Sequence, residues 1–120
     1  MKLRIQGNSL RLRLTRPEVA ALHQNGAVEE SAQFGPGNRL TYRIERRAGS
    51  GGMQAELSGG TIAVHVPAGA VASWAASDEV GMSGRDGALQ IAIEKDFRCL
   101  TRAAEEEPDA YPHPGEQPRC

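Results

Sequence analysis

The feature that most restricts this chain is a self-similarity at a spacing of 52 residues. Ile5 aligns with Leu57, Gly7 with Gly59 and Ser9 with Thr61, and Leu10, Leu12 and Leu14 align with Ile62, Val64 and Val66. Further along, Val19 and Ala20 meet Val71 and Ala72, Leu22 meets Trp74, and Val28 and Ser31 meet Val80 and Ser83. Beyond a loop three residues shorter in the second copy, Leu40, Tyr42, Ile44 and Glu45 meet Leu89, Ile91, Ile93 and Glu94. The competing explanation is two similar local patterns without common origin. We read a doubled unit: repeat one over residues 1–47, a Gly-rich linker over 48–52, and repeat two over 53–97.

Each copy reads strand, strand, helix, strand, strand. In the first, 2–6 and 9–14 alternate apolar and polar with period two, which sets Leu3, Ile5, Leu10, Leu12 and Leu14 on one face. Gly7-Asn8 between them has the composition of a two-residue hairpin loop. The second copy repeats this over 53–58 and 61–66, joined by Gly59-Gly60. Thr15 with Glu18 is a capping-box pair, Pro17 sits in the tolerant first turn, and Asn25-Gly26 ends the predicted helix. Its counterpart is Ala-rich, runs over 68–76 and carries Trp74. The final hairpins turn at Gly35-Pro36-Gly37-Asn38 and at Arg85-Asp86-Gly87.

A copy of about 45 residues is too small to hold a sufficient core alone, so the two must share one. The expected fold is α+β and mainly β: tandem ββαββ repeats related by a pseudo-twofold axis, forming a barrel or a double antiparallel sheet with two short helices. Hairpin-length connections predict mostly antiparallel pairing. The domain is expected over 1–102, with an acidic, Pro-rich tail over 103–120. That tail holds Glu105-Glu106-Glu107-Pro108-Asp109 and few apolar residues, which reads as extended or disordered chain. Phe97, Leu100 and Tyr111 are spaced so that it could instead lie along the domain.

No window approaches 18 apolar residues, which excludes a membrane-spanning helix, and the N-terminus lacks a secretory apolar core. A cytoplasmic location and reduced thiols at Cys99 and Cys120 are expected. The net charge of −1 conceals an asymmetry: residues 1–47 carry nine Lys/Arg against four Asp/Glu, and residues 48–120 carry five against eleven.

Glu94-Lys95-Asp96-Phe97-Arg98-Cys99-Leu100, followed by Asp109-Ala110-Tyr111-Pro112, resembles a family of short, uncharacterised bacterial proteins. The opening from Lys2 to Thr15 and the run Asp78-Glu79-Val80-Gly81 resemble it as well. The similarity spans nearly the whole chain and implies no activity. Position 113 is His here, where that family more usually carries Asn, which weakens a metal reading built on it.

Cys99, His113 and Cys120, with Asp109 as a fourth, are candidate metal ligands, yet their spacings of 14 and 7 positions lack the tight chelating pair of zinc sites. A Cys99–Cys120 disulfide competes with it, and Cys99 as a small buried apolar residue is the plainer expectation. No cofactor is implied. For catalysis there is no nucleophile elbow, zincin motif or phosphate loop. His23 is expected to complement carbonyls at the helix end, and His65 to point outward from a strand. Glu45, Glu94 or Asp96 near the axis are the acid/base candidates of the alternative reading, a small enzyme, with local pairing to Arg46, Arg47 or Lys95 as the bland one.

The preferred reading is a non-enzymatic binding module. Arg4, Arg11, Arg13 and Arg43 fall on the polar face opposite the leucines, and guanidinium groups hold carboxylates or phosphates through paired hydrogen bonds. Such a face would take an acidic protein, a small anionic ligand or the chain's own stretch 105–109, folded back within one molecule or across a homodimer. An overall pI near 6.3 and the lack of interleaved aromatics argue against nucleic acid.

Overall fold

The computed structural model describes residues 1–49 and 51–97. The readings placed on Cys99, Leu100, the acidic run 105–109, Tyr111, His113 and Cys120 lie outside the described residues. The element order is β1 (Lys2–Gln6), β2 (Ser9–Leu14), α1 (Arg16–Asn25), β3 (Ala27–Gln33), β4 (Arg39–Arg47), β5 (Gln54–Ser58), β6 (Thr61–Pro67), α2 (Ala68–Ala75), β7 (Gly81–Asp86) and β8 (Leu89–Lys95). The chain is mainly β with two helices. Its last turn falls at Gly87-Ala88, one to two residues later than the sequence suggested, because Arg85 and Asp86 still pair with Gln90 and Leu89.

Eight strands form two four-stranded sheets, ordered β1-β2-β8-β7 (sheet A) and β3-β4-β6-β5 (sheet B). Neither closes into a barrel. Nor is either purely antiparallel: β2–β8 and β4–β6 at the centres run parallel, between hairpins that are antiparallel within themselves. The reason lies in how the halves combine. Each sheet takes one hairpin from the first half and one from the second, so the strands meeting in the middle are joined by long connections, which permit parallel pairing.

The two central ladders have matching registers. Leu10 pairs with Ile91 and Leu12 with Ile93 in sheet A; Tyr42 pairs with Ile62 and Ile44 with Val64 in sheet B. Translated through the sequence alignment of the halves, each pair in one sheet maps onto a pair in the other.

The alternation in the sequence sets which residues turn inward. Leu10, Leu12, Leu14, Ile91 and Ile93 of sheet A join Ile44, Val64 and Val66 of sheet B in one buried core, completed by Val19 and Leu22 of α1, Val71 and Trp74 of α2, and Met53. Leu22 and Trp74, at equivalent positions of the two helices, are both sealed from solvent. Helix α1 starts at the expected box, Glu18 accepting from the Thr15 backbone N–H at 2.8 Å and its hydroxyl at 3.0 Å, and ends at Gly26 with φ 93°. Ile5 and Leu57 lie on the expected inward face yet are 61% and 74% exposed. They sit on the edge strands β1 and β5, two residues before the Gly7-Asn8 and Gly59-Gly60 turns.

Candidate anion-binding face

Residues that turn away from the core form the outer faces of the sheets. On sheet A, register places Lys2 beside Arg13, Arg4 beside Arg11, Arg11 beside Ala92, Arg13 beside Glu94, and Arg85 beside Gln90. Arg4, Arg11 and Arg13 are therefore neighbours on one surface, as β1 and β2 are adjacent. Arg43 is not with them. It occupies the outer face of sheet B, because β4 pairs with β3 and β6 rather than with β2.

The ion pairs differ between the two faces. On sheet A, Glu94 receives Arg13 at 3.3 Å and Arg11 at 3.7 Å, while Lys2 reaches Asp96 at 3.1 Å. Among the described residues, Lys2, Arg4, Arg11, Arg13 and Arg85 thus share a face with the carboxylates Glu94 and Asp96. On sheet B, Arg43 lies between Glu45 at 2.5 Å and Glu29 at 3.3 Å. The hydrogen bond from Arg43 holds the Glu45 carboxyl below its ordinary value, against an opposing effect of burial, and the two carboxylates push Arg43 upward. Neither Glu45 nor Glu94 pairs with its sequence neighbour: side chains one residue apart on a strand point to opposite faces, so partners come from across the ladder or two positions along.

His65 faces Glu45 across β4–β6 at the register position where Arg13 faces Glu94 across β2–β8. It points outward as expected, but only 7% of it is exposed. Its Nε2 lies 3.3 Å from Glu56, and its Nδ1, 3.7 Å from Glu45, makes no hydrogen bond. Alternation gave the face correctly and missed the burial, which comes from flanking side chains and the linker lining a cavity of about 220 Å³ beside it. His23 does not itself cap the helix end. Arg46 donates to the His23 carbonyl instead.

The acid/base candidates do not all meet: Glu94 and Asp96 share the outer face of sheet A, apart from Glu45. Glu45 and Glu94 occupy outer faces of different sheets. The two described carboxylates with displaced pKa are Glu45 and Glu18, and both are pushed down. Burial works to raise Glu18, but hydrogen bonds from the Met1 ammonium at 2.5 Å and from Thr15 overcome it and hold the group at about 2. Such carboxylates are suited to holding charge at neutral pH rather than passing a proton. Among the described residues no three His, Cys, Asp or Glu side chains cluster as metal ligands would.

Two further concavities are present. One of about 470 Å³ lies on sheet A between Arg11 and Arg85; Arg85 read as a turn residue in the sequence, since its place beside β8 depends on the final hairpin register. The other, about 640 Å³, runs between the helices and the end of β8. No described helix is long and apolar enough to cross a membrane.

Taken together, these features define a mainly β protein of two four-stranded sheets, with Arg4, Arg11, Arg13 and Arg85 on the outer face of one of them. The chain belongs to the family of unknown function DUF7009, whose model matches residues 1–115 and so bears out the resemblance read from its motifs. No curated protein and no solved structure matches it.

Proposed function

We propose that this chain is a doubled ββαββ binding module of the cytosol, whose working surface is the basic outer face of sheet A. The reading takes an acidic protein, a small anionic ligand or the chain's own stretch 105–109 as the occupant. The observation that carries it is the contrast between the two outer faces. Among the described residues, the outer face of sheet B sets Arg39, Arg43 and Arg47 against Glu29, Glu45 and Glu56, whereas that of sheet A sets Lys2, Arg11, Arg13 and Arg85 against Glu94 and Asp96. Exposed pairs contribute only about 0–1 kcal/mol each to stability, so folding alone does not call for such an excess. A concentrated positive field does attract anions and speeds their encounter. The matching registers of the two central ladders support the doubling, and with it a pseudo-twofold relation between the halves.

The test is titration of the ¹⁵N-labelled protein with poly-L-glutamate. Backbone amides of β1, β2 and β8 are expected to shift at low salt and much less at high salt. The double variant Arg11→Gln/Arg13→Gln should lose the effect and Arg43→Gln should keep it. Deleting 103–120 should strengthen binding if that stretch competes for the face. Shifts that ignore salt, or that are absent from sheet A, overturn the reading.

A further inference from the structure

We infer that the concavity between Arg11 and Arg85 is a site for a small phosphate monoester, an inference that rests on the basic-face reading and deepens it. The site is built by three strands in two adjacent rows. Arg11 (β2), Ala92 (β8) and Ser83 (β7) form one row; Ser9, Gln90 and Arg85 form the next. The two guanidinium groups therefore stand on opposite strands, diagonally across β8, with the methyl group of Ala92 as the floor between them.

The equivalent position on sheet B is filled differently. Arg43 aligns with Ala92 in the two halves, and there the long side chain fills the centre of the face and is matched by Glu29 and Glu45. With alanine in its place, sheet A keeps an open space of about 470 Å³. That volume is within the range of small-molecule sites, roughly 300–1,000 Å³, and exceeds what a bare inorganic anion needs.

The donors around the space are not consumed by the fold. Arg85 makes no ion pair among the described residues. Among the described residues the ion pair of Arg11 is with Glu94, at 3.7 Å, too long for a hydrogen bond and shared with Arg13. Among the described residues the side chains of Ser83 and Gln90 make no hydrogen bond either. Ser9 is already committed, donating to the Gln6 carbonyl at 2.8 Å.

The arrangement favours phosphate over carboxylate. One guanidinium satisfies a planar carboxylate through two parallel hydrogen bonds. Two guanidiniums approaching from opposite sides, with a hydroxyl and an amide between them, suit a tetrahedral dianion whose several oxygens point in different directions. The remaining volume takes the organic part, lying over Ala92 and Gln90.

The experiment is an amide-shift titration of the full chain with inorganic phosphate, phenyl phosphate and acetate, at constant ionic strength balanced with sodium chloride. Saturable shifts at Ser83, Gln90 and Ala92 are expected, tighter for phenyl phosphate than for inorganic phosphate and weak for acetate. Arg11→Gln and Arg85→Gln should each weaken binding about tenfold, the loss of one charge-assisted contact. Arg85→Lys, which keeps the charge without the fork, should fall between, and Arg43→Gln should bind as the parent does. Acetate binding as well as phosphate overturns the phosphate assignment. Loss on Arg13→Gln with none on Arg85→Gln overturns the cradle while leaving the basic-face reading intact, provided poly-L-glutamate still shifts sheet A. If neither poly-L-glutamate nor phosphate perturbs sheet A, both fall together.

Discussion

Arg13 and Glu94 face each other across the parallel centre of sheet A, Nε to Oε1 at 3.3 Å, and Glu94 is also the carboxylate nearest Arg11. One acidic group thus restrains two of the arginines on the basic face. Both partners remain partly solvated, so the pairs add little to stability. Glu94→Gln is expected to change unfolding free energy by less than about 1 kcal/mol in urea denaturation. The same substitution frees positive potential, so poly-L-glutamate should bind several-fold tighter and with a steeper salt dependence. A large loss of stability with no gain in binding would mean that the pair holds the sheet together.

The interleaving of hairpins sets the second prediction. The parallel ladders β2–β8 and β4–β6 each need one strand from either half, and Leu12 and Val64 have their ladder partners, Ile93 and Ile44, in the opposite half. Separate fragments 1–47 and 53–97 are expected to be unfolded by far-UV circular dichroism, while an equimolar mixture should regain strand signal. A fragment that folds cooperatively alone would contradict the shared core.

Much of this was legible in the sequence because it depends on local rules. Period-two alternation placed Leu10, Leu12 and Leu14 inside, and the Thr15–Glu18 box and Gly26 fixed the ends of α1. Leu22 and Trp74, aligned between the halves, are both sealed from solvent, which alignment alone did not state. What alternation cannot encode is which strand lies beside which. The partnership of β2 with β8 carried Arg85 next to the predicted arginines and left Arg43 on the other sheet. Nor does it encode how far an edge strand overhangs, so Ile5 and Leu57 read as core while standing in solvent. The burial of His65 has the same origin, since it depends on what covers the outer face.

Glu18 supplies a pH dependence. Its folded pKa is about 2, against 4.5 for an unperturbed glutamate. A carboxylate depressed in the native state stabilises fully above its unfolded value, and that contribution fades as pH falls from about 4.5 toward about 2. Its size should be on the order of 1–3 kcal/mol, including the helix-cap contact to Thr15. Glu18→Gln should therefore destabilise the protein at pH 6 and flatten the acid limb of its stability profile, measured by urea midpoints between pH 2 and 6. Parallel acid limbs in parent and variant would refute this.

The two glycines of β7 should respond unequally to alanine. A Cβ at Gly81 would come within 2.8 Å of the Ile93 carbonyl oxygen, a backbone atom fixed in the β7–β8 ladder. At Gly84 the atoms nearest the Cβ all belong to the Met53 side chain, Cγ at 3.1 Å and Cβ and Sδ at 3.2 Å, of which Cγ and Sδ can move by a change of rotamer. Thioether chains are unbranched and readily change rotamer, so Met53 can give way where the carbonyl cannot. Gly81→Ala is expected to cost about 1–3 kcal/mol by overpacking. Gly84→Ala should cost less than about 1 kcal/mol, offset in part by the lower chain entropy of alanine in the unfolded state. Since Gly84 lines the Arg11–Arg85 concavity, the same variant should leave phosphate affinity unchanged: the added methyl points toward Met53, away from the anion. Equal destabilisation by the two variants would mean that β7 yields as a unit, and its spacing from β8 would then owe nothing to the missing side chain at Gly81.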